Sequence, residues 1–223
     1  MNILETILKE NFLVFDVGCN IGNKSVEYLS CGTKVVGFEP QPNCVDQLTD
    51  KFKNTTNIII EPIGLDEKKG ESFIYEASHN TISSMSEDFI ETVKKQRFKD
   101  YTWGNKINID VDTLDNMIEK HGKPNYIKID VEGYELNVLK GLTTPIDVIS
   151  IEFTPELCHT TIDCINYVES INGDCVYNYG YREEKNFKFE NWLTKNEIID
   201  YVSSIHDYNF EFGDVYIKMI NIY

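Results

Sequence analysis

The sequence predicts an α/β fold, a mostly parallel sheet carrying helices on both faces. Three observations predict it. From Phe12 to Phe153, short apolar runs alternate with segments of helical spacing. A glycine-containing turn, FDVGCNIG (Phe15–Gly22), joins the first run to the first helical segment. An acid, Glu39, closes the second run 23 residues after Asp16 closes the first. Alternation of this kind builds strand–helix–strand units whose crossovers bury the sheet on both sides.

The elements follow in order. MNILETILKENF carries two glutamates and lacks a basic leader, so it reads as a short amphipathic helix (1–11) and not as a secretory signal. FLVFD (Phe12–Asp16) is the first strand, and Ser25, Val26 and Leu29 give a helical face ending near Gly32. KVVGFE (Lys34–Glu39) is the second strand, followed by a helix after Pro42 with Cys44, Val45, Leu48 and Phe52 on one face. NIII (Asn57–Ile60) is the third. ESFIYEAS (Glu71–Ser78) reads as an extra edge strand. SEDFIETVKKQRF (Ser86–Phe98) reads as a helix with acids early and bases late, which suits its dipole. INIDV leads into a helix with Leu114, Met117 and Ile118. YIKID (Tyr126–Asp130) is the fourth core strand, ELNVLKG a helix closed by Gly141, and DVISIEF (Asp147–Phe153) the fifth strand. Helices are expected at Ile162–Val168 and Thr194–Ser203, and the tail YNFEFGDVYIKMINIY reads as a hairpin turning at Gly213-Asp214.

Composition narrows the function classes. At 223 residues and 41% hydrophobic content, the chain suits one domain over 1–223, with a core at 12–153 and a C-terminal part, 154–223, completing the sheet and the acceptor side. No run approaches the ~18 apolar residues of a membrane helix. A net charge of −16 opposes a phosphate backbone, so nucleic acid is not an expected partner. The six cysteines form no CxxC pair and no zinc-like spacing with the histidines, which fits free thiols in a reducing, cytoplasmic compartment. His121, His159 and His206 have no evident partner in the sequence.

The turn then selects a cofactor. A dinucleotide fingerprint requires G-x-G-x-x-G, so that glycine backbones and a helix N-terminus receive a pyrophosphate. Here Gly18 is followed at those spacings by Asn20 and Asn23. Asp16, at the strand end, would oppose a pyrophosphate and favour a cation. S-adenosyl-L-methionine carries an ammonium and a sulfonium and no phosphate, so the Asp-x-Gly-x-Asn-x-Gly turn suits it. The candidate cofactor residues are Asp16, Gly18, Cys19, Asn20 and Gly22 in the turn, with Glu39 and Pro40 after the second strand. A carboxylate at Glu39 can accept both ribose hydroxyls, which is equally true of nicotinamide enzymes. A nicotinamide-dependent oxidoreductase and a non-catalytic nucleoside-binding module therefore stand as rivals.

Ligands of open α/β sheets bind beyond the carboxyl ends of the strands. Asp130 ends the fourth strand, Glu132 follows it, and Glu152 ends the fifth next to Phe153. A charge closing an apolar strand is costly without a role or a partner. These three acids are expected to converge beside the methyl donor, where they could act as a base or as ligands of a Lewis acid. They could take the proton directly or hold a divalent cation, Mg or Mn. Glu135 reads as a first-turn acid answering its helix dipole, and Lys128 as the partner of a nearby acid.

VFDVGCNIG, VVGFEPQP, VDTLDNMI, YIKIDVEGYELNVLKG and ISIEF together resemble the FkbM family of S-adenosylmethionine-dependent methyltransferases. The resemblance runs from Phe12 to Phe153, about two-thirds of the chain, and KIDVEGYE is its most specific piece. It implies a Rossmann-like class I methyltransferase fold, with a seven-stranded sheet whose last strand is antiparallel. It also implies O-methyl transfer to a hydroxyl of a sugar, glycan or other small molecule. Gly64 and Leu65, after the third strand, fall where the adenine edge lies in this fold, with Asp130 also at the cofactor. SHNTISSM (Ser78–Met85) resembles the family's polar loop and would bring His79, Asn80 or Thr81 over the acceptor; it also has the spacing of a capping segment. Tyr177, Tyr179, Tyr181 and Trp192 read as core for the last strands or as a sugar-stacking wall.

Overall fold

A computed structural model describes residues 2–181, 184–205 and 212–220. Helix α1 (Ile3–Ile7) is capped by the Asn2 side chain and leads into β1 (Leu13–Val17). Helix α2 (Asn23–Ser30) crosses to β2 (Lys34–Phe38), and α3 (Pro42–Phe52) to β3 (Ile58–Glu61). Strands β4 (Gly64–Leu65) and β5 (Gly70–Ala77), helix α4 (Glu87–Val93) and strand β6 (Trp103–Asp112) follow. Helix α5 (Leu114–His121) returns to β7 (Tyr126–Ile129), α6 (Glu135–Lys140) to β8 (Val148–Phe153), and α7 (Cys158–Asn172) to β9 (Cys175–Tyr181). Helix α8 (Lys195–Ser203) opens on a capping box of Thr194 and Glu197, and β10 (Gly213–Met219) ends the described chain.

The main sheet has seven strands in the order β3-β2-β1-β7-β8-β10-β9. The first five pair in parallel, and β10 runs antiparallel between β8 and β9. This is the expected class I architecture, and the C-terminal part completes the same sheet. The sheet centre is buried on both faces, which is why VFDV, YIKI and VISIEF read as continuous apolar runs. Tyr177 and Tyr179 are fully buried, with Tyr179 edge-on to Phe153, so these aromatics are core and not a stacking wall.

Four local expectations fail, each for a physical reason. The extra strand does not edge the main sheet: β4, β6 and β5 form a second sheet of three strands, and INIDV belongs to β6. Much of β6 faces solvent, and only Ile74, Ile109 and Val111 form a small apolar face, too little for a place in a doubly covered sheet. The helix starting at Ser86 stops at Val93. Its last carbonyl accepts from both Gln96 and Phe98 N–H groups, and this turned segment carries Arg97 against Glu156. On α2 Ser25 and Leu29 face inward as expected, joined by Tyr28, while Val26 is exposed. Gly213 and Asp214 lie inside β10, paired with Phe153 and Glu152 on one side and Tyr181 and Gly180 on the other. A Cβ at Gly213 would sit 2.2 Å from the Gly180 carbonyl oxygen, so glycine is there for close strand packing. The first arm of the expected hairpin, 206–211, and His206 lie outside the described residues.

Candidate active site

The carboxyl ends of β1, β2, β7 and β8 open into a cavity of about 340 Å³. The turn after β1 is tied down first. The Gly18 and Cys19 N–H groups both donate to the Phe38 carbonyl, and the Asp130 N–H donates to the Val17 carbonyl. Gly18 adopts φ 77°, which glycine tolerates best. Asn20 is left-handed too, at φ 48°, and its own Oδ1 accepts the Ile21 N–H.

Glu39 stands beside this turn, only 2% exposed. One carboxylate oxygen accepts the Asn20 N–H at 2.9 Å, the other the Gln41 N–H at 2.8 Å. Burial raises its pKa, and those two backbone bonds partly offset the rise. Each oxygen keeps a lone pair for a further donor, the requirement for holding a diol. Asn80 closes over this corner, its carbonyl accepting from Gln41 Nε2 at 3.2 Å and Asn20 Nδ2 at 3.4 Å.

Most sequence candidates line this cavity: Gly18, Asn20, Glu39, Pro40, Gly64, Leu65, Asp130, Glu132 and Glu152. Asp16, Cys19 and Gly22 are not in its lining. Asp16 turns inward and accepts a 2.5 Å bond from Ser25 Oγ, Cys19 is buried, and Gly22 caps α2 against Leu48 and Phe52. The strand pleat decides this: Asp16 faces the α2 side of the sheet, a direction the motif alone does not reveal.

Burial pushes the Asp16 pKa up to about 6, against the Ser25 bond and the Lys128 charge. Ionising this group therefore costs the folded state. Its contribution to stability is full below the pKa of an unfolded aspartate, near 4, and is lost as pH rises through about 6. Asp16→Asn is expected to match the wild type at pH 4 and to exceed it by roughly 1–3 kcal/mol at pH 7. Thermal melts at the two pH values check it; equal stability at pH 7 would contradict it.

On the far side, Lys128 is buried in β7 and spans Asp130 at 3.1 Å and Asp214 at 2.9 Å. Burial works against its charge, yet the two aspartates hold its pKa well above the usual lysine value. Asp130, Glu132 and Glu152 then bring one carboxylate oxygen each within 4.8 Å of one another. Burial and mutual repulsion raise Glu132 and Glu152 well above the usual carboxylate range. Glu132 holds φ 54°, a left-handed backbone in a residue that rarely adopts it, and Ser84 Oγ donates to its carbonyl at 2.6 Å. Glu152 Oε2 is buried without a hydrogen bond among the described residues. An all-oxygen set of this kind can take a hard cation or a proton. Glu135 has the structural role expected of it, its Oε1 accepting the Gly133 N–H at 3.0 Å and the Val131 N–H at 3.3 Å.

A second cavity of about 260 Å³ adjoins the first across Glu132 and Glu152 and is walled by His79, Arg97, Phe98 and Tyr101. His79 is therefore placed beside the acids but outside the first cavity, its Nδ1 2.7 Å from Thr81 Oγ1. Of the other described histidines, His121 meets Glu61 at 2.8 Å, and His159 is on the surface. Sequence reasoning missed Gln41, Arg97, Phe98, Tyr101 and Asp214. The one available signal was that Arg97 is one of only two arginines in a chain that otherwise uses lysine.

Among the described residues no helix is long and apolar enough to cross a membrane. Comparison with known proteins gives four results. The chain is 30% identical over 161 residues to the hexuronic acid methyltransferase AglP of Haloferax volcanii, covering 70% of this chain and 59% of that protein. Among solved structures it is similar to the precorrin-6Y C5,15-methyltransferase of Geobacter metallireducens, at 10% identity and TM-score 0.48, covering 96% of this chain and 85% of that one. It is also similar to Aeropyrum pernix fibrillarin bound to S-adenosyl-L-methionine, at 8% identity and TM-score 0.43, covering 94% and 67%. The methyltransferase FkbM domain model matches residues 16–206, and the chain belongs to that methyltransferase family.

Proposed function

We propose that this FkbM-family protein transfers the methyl group of S-adenosyl-L-methionine to a hydroxyl oxygen of a sugar or glycan. The observation that carries this reading is the meeting of two cavities at Glu132 and Glu152, with Asp130 beside them in the first. The first cavity has the Glu39 carboxylate and a tied glycine turn; the second is walled by Arg97, the aromatic rings of Phe98 and Tyr101, and the two acids. The Haloferax volcanii relative, named for hexuronic acid, supports a sugar as acceptor.

S-adenosyl-L-methionine supplies the electrophilic methyl. Glu39 receives its ribose hydroxyls, and Gly18 and Asn20 give the turn its shape. Leu65 and Ile74 offer apolar surface for the adenine. The acceptor hydroxyl would lie at the acid cluster, where positioning supplies much of the rate. Its proton leaves toward a carboxylate of the Asp130, Glu132 and Glu152 group. The same three residues would hold Mg²⁺ or Mn²⁺, which would lower the hydroxyl pKa; their all-oxygen donor set and the unbonded Glu152 oxygen fit such an ion.

Methyl transfer from labelled S-adenosyl-L-methionine to a panel of free sugars and glycans, with and without EDTA, tests the reading. S-adenosylhomocysteine release with a sugar is the expected result. Transfer to RNA or a non-sugar molecule alone, or no turnover despite cofactor binding, would replace it. Glu39→Ala is expected to weaken S-adenosylhomocysteine binding by about 1.5–3 kcal/mol, the range for hydrogen bonds to a charged group. Calorimetric titration reads it, and unchanged affinity would remove Glu39 from the cofactor site.

A further inference from the structure

We propose that Arg97 makes this enzyme selective for acceptors that carry a carboxylate, binding the carboxylate of an acidic sugar in the second cavity. The inference rests on the acceptor reading above and names the class of sugar.

Arg97 lies on the turned segment after α4, its side chain only 11% exposed. Its Nε is 3.4 Å from Glu156 Oε1, an ion pair whose geometry makes no hydrogen bond. Its ring contacts are with Phe98, at 4.7 Å, and Phe212, at 4.9 Å, on the guanidinium carbon. The buried Nε–H of this planar fork thus meets no acceptor in hydrogen-bond geometry among the described residues. Leaving such a donor unsatisfied is costly, and the group faces a cavity.

What would satisfy it is set by shape and charge. A planar carboxylate takes two parallel bonds from the fork, the arrangement in which arginine surpasses lysine. Lys128, the other buried cation here, is committed to Asp130 and Asp214. The rest of the cavity suits a sugar ring. Tyr101 is an exposed aromatic, 38% accessible, set edge-on to Phe98 at 5.5 Å, and offers a face to ring C–H groups. Glu132 and Glu152 line the same cavity and offer oxygens to hydroxyl hydrogens. A hexuronate spans these features, with its carboxylate on Arg97 and a hydroxyl at the acids. A neutral hexose leaves the guanidinium as it is.

The test compares glucuronate-terminated with glucose-terminated oligosaccharides as acceptors for the full chain. Wild type should prefer the glucuronate. Arg97→Gln should lower kcat/KM for it on the order of 10–100-fold, mainly through KM, and lower that for the glucose acceptor far less. Arg97→Lys should recover only part of the loss. Because Arg97→Gln strands a buried Glu156, the double variant R97Q/E156Q removes both charges and should show the same selective loss. Equal losses on both acceptors in the double variant would make Arg97 a structural partner of Glu156 and overturn the proposal. Wild-type indifference between the two acceptors, or equal preference for glucose 6-phosphate, would overturn it as well. If no sugar is methylated, the sugar reading has failed, and calorimetry of free glucuronate on the S-adenosylhomocysteine complex still decides Arg97. Binding lost in the double variant supports the carboxylate site; no binding to wild type refutes it.

Discussion

Asp130→Asn is expected to slow methyl transfer roughly 10²–10⁴-fold, the usual contribution of a positioned acid or base, with the fold intact. The substitution keeps the side chain's shape and removes its charge. Lys128 loses one of two partners but keeps Asp214 at 2.9 Å, so stability should fall by only about 1 kcal/mol. Cofactor affinity should change little, because the Glu39 corner is untouched. Activity and S-adenosylhomocysteine binding measured together separate a chemical role from a binding one. EDTA then divides the two assignments of the acid cluster. Loss of activity restored by Mg²⁺ or Mn²⁺ makes Asp130, Glu132 and Glu152 ligands. No effect leaves a carboxylate as the proton acceptor. Turnover near the wild-type rate in Asp130→Asn would exclude it from both roles and direct attention to Glu152 and His79, which share the second cavity.

Gly18→Ala should remove both cofactor binding and much of the protein's stability, a loss of more than about 3 kcal/mol. The site is closed in two ways. The backbone holds φ 77°, and a Cβ there would lie 1.8 Å from the Asp130 carbonyl oxygen. That oxygen belongs to backbone, which cannot rotate away as a long side chain would. Relief would require separating the β1 turn from the end of β7, whose Asp130 N–H donates to Val17 at 3.0 Å. The expected result is a chain that melts well below wild type and gives no thermal shift with S-adenosylhomocysteine. A well-folded variant with normal affinity would show the turn to be looser than its geometry implies.

The sequence by itself determined the sheet and the Gly18–Glu39 corner proposed to hold the nucleoside. Apolar runs buried on both faces mark β1, β2, β7 and β8, because a strand covered on both sides carries few polar residues. Glycine at position 18 and the acid at position 39 are local requirements of a tight turn and a strand end, so motif and spacing reveal them. The acids at positions 130, 132 and 152 were legible for the same reason, as charges at the ends of apolar strands. Tertiary structure alone decided the rest. Asp16 reads as a ligand in the motif, yet the pleat turns it onto Ser25. Gly213-Asp214 reads as a turn, yet it sits in a strand paired on both sides. Arg97 lies in what reads as a helix, until packing against Glu156 and Phe98 ends that helix early and faces the guanidinium into a cavity. Local propensities amount to tenths of a kcal/mol per residue, while leaving one buried charge unpaired costs about 3–5 kcal/mol. Wherever the two conflict in this chain, partners distant in sequence win, and a single sequence does not display them.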